Sequence, residues 1–207
     1  MSKKENIFWI GGSPCAGKST ITNKIALKYS IKAFHCDDYI NIHLDKINQK
    51  IHPAMYRQKN MTWNDMFMKP IPEQVREEIN YYTEEFNMVL DDLSEAYDGR
   101  AVIVEGTGLL PFLLKKYVQD TRKAFFLVPD KDFQVKHYKK RDFIKYILKD
   151  CKDKQLAFSN WMERDFCYGN FVYRNASKFD FKVLRVDNST EFDKVQNYLE
   201  EYFGLKG

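Results

Sequence analysis

Residues 8–29 read FWIGGSPCAGKSTITNKIALKY. An apolar run stops at two glycines, a short turn follows, and Gly17-Lys18-Ser19-Thr20 opens a segment with helical periodicity, Ile21, Ile25 and Tyr29 recurring every four residues. Gly12 to Ser19 satisfies G-x-x-x-x-G-K-[ST], and the strand-before, helix-after context is what gives that pattern its meaning. Glycines let the backbone turn tightly enough for successive N–H groups to point inward at phosphate oxygens, and the following helix adds its positive end. The nucleotide-binding residues expected from this loop are Gly12, Ser13, Pro14, Cys15, Ala16, Gly17, Lys18, Ser19 and Thr20. Lys18 would reach the β- and γ-phosphates, and the Ser19 hydroxyl would ligate magnesium.

Outward from this loop, four more short apolar runs read as strands: Ala33–Cys36, Ala101–Glu105, Ala124–Val128 and Lys182–Val186, besides Ile7–Ile10. They are continuous rather than alternating, as parallel strands covered on both faces should be. Between them, Ser19–Tyr29, Glu73–Tyr97, Asp132–Lys149, Phe158–Ala176 and Glu191–Phe203 read as helices. Strand–helix alternation of this kind predicts an α/β fold with helices on both faces of a parallel sheet.

A chain of 207 residues suits one well-cored domain. Residues 39–72 and 131–178 are longer than ordinary connections, and such insertions at strand ends usually cover substrates. The net charge of +4 is spread along the chain without a polybasic tail, so the expected partners are anionic small molecules rather than nucleic acid. No apolar stretch approaches the roughly 20 residues that span a bilayer. The N-terminal MSKKENIFWIGG lacks the long apolar region of a signal peptide, which predicts a cytoplasmic protein without a membrane partner. Cys15, Cys36, Cys151 and Cys167 are far apart and form no C-x-x-C pair, which argues against a zinc site or a disulfide framework. Oligomeric state, monomer or homodimer, stays open.

Two strand ends carry acids. AFHCDDYI puts Asp37 and Asp38 just past the second strand, and AVIVEGTGLLP ends the third at Glu105. Carboxylates at the carboxyl ends of strands beside a phosphate loop face the ligand crevice, where they can hold magnesium or take a proton from an attacking hydroxyl. An aspartate pair can also simply start a helix, and a rim glutamate can pair with a distant cation.

Gly12–Ser19, Asp37–Tyr39 and VEGTGLLP at 104–111 together resemble the P-loop small-molecule kinases, the group of shikimate kinase, chloramphenicol phosphotransferase and the uridine and nicotinamide riboside kinases. The resemblance implies a P-loop NTPase three-layer fold whose five-stranded parallel sheet runs in the order 2-3-1-4-5. It also implies an acceptor-binding insertion at 39–72 and a lid within 131–178. Asp37 then matches the aspartate that activates the acceptor hydroxyl or helps hold magnesium, and Glu105 matches the acid that several riboside kinases carry after strand three. The implied cofactors are ATP and Mg2+, with Ser19, Asp37 and Glu105 around the metal.

Residues 131–154 contain nine Lys or Arg against four Asp, as a lid that neutralises transferring phosphate would. Arg141 is the first candidate, Arg164 the second and Arg174 the third, although the spacing departs from the compact R-x-x-x-R of many lids. His137 reads as a surface or partly packed residue. In the insertion, Arg57 and Lys59 could hold an anion, while Tyr56, Trp63 and Phe67 could pack on a ring or in the core. The expected activity is transfer of the γ-phosphoryl group of ATP to a hydroxyl of a small molecule, with Lys18, Asp37, Glu105, Arg141 and Arg164 as catalytic residues. Two alternatives stand beside it: a nucleoside monophosphate kinase, and a non-catalytic nucleotide-binding regulatory module. A guanine-nucleotide switch would carry N-K-x-D where this chain has FFLVPDKDF.

Overall fold

The apolar strands assemble as β1 (Ile7–Gly12), β2 (Lys32–His35), β3 (Val102–Glu105), β4 (Ala124–Pro129) and β5 (Lys182–Val186) in a computed structural model that describes residues 6–206. They form one five-stranded sheet of order β2-β3-β1-β4-β5, every pairing parallel. The N-terminal stretch read for a targeting signal lies in part, at residues 1–5, outside the described residues.

Alternation along β1 explains the two layers. Ile7 and Trp9 face a cluster built with Phe86, Val89 and Leu93 of α5 (Ile71–Ala96) and with Tyr168, Val172 and Ala176 of α9 (Lys154–Lys178). Phe8 and Ile10 face the opposite cluster, made with Ile21 and Ile25 of α1 (Lys18–Tyr29) and Val195 and Leu199 of α10 (Phe192–Tyr202). Both faces are therefore dry, as continuous apolar strands require.

Three short helices occupy the expected insertion: α2 (Ile40–Lys46), α3 (Pro53–Lys59) and α4 (Trp63–Met68). Thr62 caps α4 by accepting from the Asp65 N–H. A brief α6 (Pro111–Leu114) follows β3.

One expected helix is broken. Asp132–Lys149 divides into α7 (Lys131–Tyr138) and α8 (Phe143–Ile147), with Lys139, Lys140, Arg141 and Asp142 between them. A continuous helix would carry Ile144 about 120° around from Tyr138. The break lets Tyr138, Ile144 and Leu148 share a third cluster with Met66, Phe67 and Trp161, beneath the cleft described next. Helix α9 begins earlier than expected because Asp153 accepts from the N–H groups of both Gln155 and Leu156. Among the described residues, no helix is long and apolar enough to cross a membrane.

Candidate functional site

The carboxyl ends of β1 and β3 open onto a cleft of about 680 Å³. The phosphate loop forms its floor. Gly12 has φ 140°, and a Cβ there would sit 1.9 Å from the Leu127 carbonyl oxygen of β4. Gly17 has φ 81°, and a Cβ there would meet the Phe192 ring at 2.3 Å. Pro14 to Thr20 line the cleft, while Gly12 and the buried Ser13 lie outside its lining. Cys15 also has positive φ, 62°, and burial pushes its thiol up to about 11. That protonated state makes it a poor nucleophile at neutral pH.

Lys18 is 7% exposed, and its ammonium donates to the Ser13 carbonyl at 2.9 Å and to the Thr107 hydroxyl at 3.2 Å. Both partners are neutral. Burial pulls its pKa below the ordinary lysine value, against the opposing pull of Glu105 and Asp37. A buried cation without a contacting anion among the described residues, above a floor of glycines, is an arrangement a phosphate would complete. Thr107 is positioned from α9, where the Tyr168 hydroxyl donates to its carbonyl at 2.7 Å.

The two strand-end acids differ. Asp37 follows β2 in a 3-10 turn, Cys36–Tyr39, and reaches the cleft. Its side chain is accessible to solvent there, yet surrounding protein still desolvates the carboxyl enough to raise its pKa, with Lys18 opposing. Asp38 is exposed and is not part of the cleft lining. Glu105, only 3% exposed, lines the cleft and lies 2.7 Å from Nδ1 of His35; Nε2 of the same ring is 3.0 Å from Asn23 Oδ1. The partner of this buried acid is therefore a neighbouring-strand histidine, neither Lys18 nor a distant rim cation. Ser19, Asp37 and Glu105 share one cleft, so a hydroxyl and two carboxylates are available to a magnesium ion bound with nucleotide.

Of the three arginines, Arg141 lines the cleft from the loop between α7 and α8, its guanidinium 5.4 Å from the Tyr138 ring centre and 5.8 Å from that of Phe143. Arg164 also lines it but is buried on α9. Nε and Nη2 donate to Asp165 Oδ1 at 2.8 and 2.7 Å, and Nη1 lies 3.4 Å from Glu78 Oε2. Arg174 is exposed and absent from the lining. His137 is half-buried and stacks on Phe133.

The far end is walled by the insertion and α5. Lys59 and Trp63 line it, whereas Tyr56 and Arg57 are exposed elsewhere and Phe67 is fully buried behind, stacked between Trp63 and Trp161. Glu78, Tyr81 and Tyr82 from α5 complete that wall. None of these three was expected from sequence, because one glutamate in a helix rich in them carries no mark of its own. His35 and Thr107, by contrast, sit within the two quoted strand-end stretches.

No family model matches the chain, and no curated protein matches it. Solved structures do. Shikimate kinase from Acinetobacter baumannii, in complex with shikimate, is similar over 97% of this chain and 94% of its own, with a TM-score of 0.52 and 15% sequence identity. TT1252 from Thermus thermophilus is similar over 97% of each chain, with a TM-score of 0.50 and 13% identity. At such identities the likeness concerns the fold alone: the parallel 2-3-1-4-5 sheet and its flanking helices are arranged as in that shikimate kinase.

Proposed function

We propose that this chain is a small-molecule kinase that moves the γ-phosphoryl group of ATP to a hydroxyl. The observation that carries the reading is that one cleft joins the phosphate loop to an aromatic chamber, with Asp37 in the same lining. When bound, MgATP supplies the activated phosphoryl group and the charge of the metal. The loop's N–H groups and Lys18 bind and orient the phosphates. Ser19 offers its hydroxyl to the metal, with Asp37 and Glu105 behind it. Asp37, whose raised pKa moves it toward the operating range of a general base, takes the acceptor proton. Glu105 is anchored by His35, which fixes its carboxylate beside the metal position. Arg141 closes over the phosphate end and helps exclude water. Residues 39–72 act as the acceptor-binding insertion and 131–178 as the lid, within a single domain.

The test is ATP consumption by the purified protein with magnesium, across nucleosides, sugars, amino alcohols, hydroxy acids including shikimate, and nucleoside monophosphates. Stimulation by one alcohol class, reduced at least roughly a hundredfold by Asp37→Asn, supports the reading. Stimulation only by monophosphates, indifferent to that substitution, replaces it with a nucleotide kinase. ATP binding with no acceptor-dependent turnover in any class leaves a binding module.

A further inference from the structure

The chamber beyond Asp37 has one deeply buried cation, and that cation is already neutralised. Arg164 gives Nε and Nη2 to Asp165, which is itself 2% exposed and also accepts from the Tyr138 hydroxyl at 2.7 Å. Its remaining edge faces Glu78 at 3.4 Å and the Met66 sulfur at 3.7 Å. Two carboxylates therefore surround one guanidinium. Lys59, the other cation of this wall, donates to the Leu44 carbonyl at 2.6 Å and stands 3.5 Å from Asp45. Arg164 is therefore not free to form the bidentate pair by which an arginine recognises a carboxylate or phosphate, and Lys59 is a single ammonium with partners of its own.

The unmet hydrogen-bonding capacity has a different character. Glu78 Oε2 is 3.4 Å from both Arg164 and the Gln58 amide, and Oε1 has no hydrogen-bond partner among the described residues. Trp161, 5% exposed in the same lining, has an indole N–H with no partner among the described residues. That atom is closed to solvent, so its missing bond is a cost of the packing and offers the cleft no donor. A hydroxyl compound can donate to Glu78, and sugar-like or aromatic rings can pack on Trp63 and Tyr81 of the same lining. An anionic group placed against Glu78 would meet a carboxylate whose cationic contact, Arg164, is already shared with Asp165, while Arg141 acts on Cys15 and Lys18 at the phosphate-loop end.

Resting on the kinase reading for the site as a whole, we infer that the acceptor is a hydroxyl compound carrying no negative charge, and that Glu78 is the residue that excludes anionic ones. Discrimination here works through a repulsive group placed against the wrong substrate class. Hydroxy acids and sugar or nucleoside phosphates are the excluded compounds.

Quenching of tryptophan fluorescence reads acceptor binding without requiring turnover, because Trp63 and Trp161 both line the chamber. The probes are sets sharing a scaffold and differing in charge: glucose, glucosamine and glucuronate; uridine and uridine monophosphate; shikimate and its amide. Each is titrated into wild type and Glu78→Gln in the presence of a non-hydrolysable ATP analogue and magnesium. In at least one set the uncharged or cationic member binds at least tenfold more tightly than the anionic one, and Glu78→Gln narrows that ratio at least threefold. Uncharged members binding no better than anionic ones across all sets overturn the inference, even if Glu78→Gln fails to fold. A ratio unmoved in a folded Glu78→Gln overturns the role of Glu78. Phosphoryl transfer, measured separately, keeps the two readings apart: transfer to an anionic acceptor sinks this one alone, and charge selection without any transfer sinks the kinase reading alone.

Discussion

His35 and Glu105 stand opposite each other in the register of β2 and β3, and their side chains meet at 2.7 Å at the mouth of the cleft. The pairing lets an acid be buried at the end of an apolar strand. Asn23 of α1 holds the other ring nitrogen, so strand, strand and helix converge on one carboxylate. Replacing His35 with Ala leaves Glu105 buried and short of a partner. The expected loss is about 1–3 kcal/mol of stability in urea unfolding at neutral pH, the range for a stranded buried acceptor. His35→Gln, which can still donate to Glu105, should recover part of it; equal losses in both variants would mean that the contact contributes nothing specific.

Lys18 presents the opposite balance. Among the described residues its ammonium is buried with only neutral partners in contact, so it costs the fold stability, and on the proposed reading phosphate offsets that cost. Lys18→Met should therefore unfold no earlier than wild type without nucleotide, yet lose most of the thermal stabilisation given by MgATP. Turnover should fall by roughly a hundredfold or more. A variant markedly less stable in the absence of nucleotide would show that Lys18 is structural.

At Gly17 two constraints coincide: a left-handed φ of 81°, and the Phe192 ring lying where a Cβ would go. Gly17→Ala should cost about 1–2 kcal/mol for backbone conformation and roughly 1–3 kcal/mol for overpacking. In a double-mutant cycle by chemical denaturation, Phe192→Ala should relieve the second part and leave the first. Strict additivity of the two substitutions would place the ring elsewhere.

His43 of α2 is buried between Glu85 and Asp92 of α5, its nitrogens 3.0 and 2.7 Å from their oxygens, with the Tyr39 ring stacked beside it. Burial alone would lower its pKa, but the two carboxylates outweigh that and raise it above the ordinary 6.5. A raised histidine contributes stability that is complete below pH 6.5 and lost as pH rises through the folded value. Burial also raises the Glu85 pKa, which likewise makes folding less favourable with rising pH, in a lower window above the ordinary 4.5. Unfolding free energy should decline between pH 6.5 and the raised folded pKa of His43, and His43→Gln should flatten that decline; an unchanged slope in the variant would assign the pH dependence to other groups.

These relationships show where sequence reading reaches and where it stops. The strand–glycine turn–helix unit was legible because its requirements are local: glycines, a lysine and a following helix within a dozen residues or so. The sheet was legible because continuous apolar runs such as AFFLVP have no other economical burial, and its strand order followed from the resemblance those local motifs carry. The His35–Glu105 pair was not, since it depends on the register between strands about seventy residues apart. Nor was Glu78 against Arg164, which needs the packing of α5 on α9. The break at 139–142 was missed because period alone favours continuity, whereas the third cluster requires Tyr138 and Ile144 on one side.

That break is also what presents Arg141. Its guanidinium lies near the Tyr138 and Phe143 rings, outside any ion pair among the described residues, and its charge is close enough to the phosphate loop to oppose the rise that burial gives Cys15 and to add to the lowering that burial gives Lys18. An exposed cation so placed adds little to folding, and on the proposed reading its role is to stabilise charge on the transferring group. Arg141→Ala should keep wild-type stability within about 0.5 kcal/mol while lowering kcat by roughly a hundredfold or more, with a smaller change in the KM for ATP. Arg174→Ala, on the exposed side of α9, is the matched control and should leave kcat unchanged. Steady-state kinetics of the two variants side by side decides the matter: if both behave alike, the cation at the bend is a solvated surface charge and phosphoryl transfer depends on the loop and Lys18 without it.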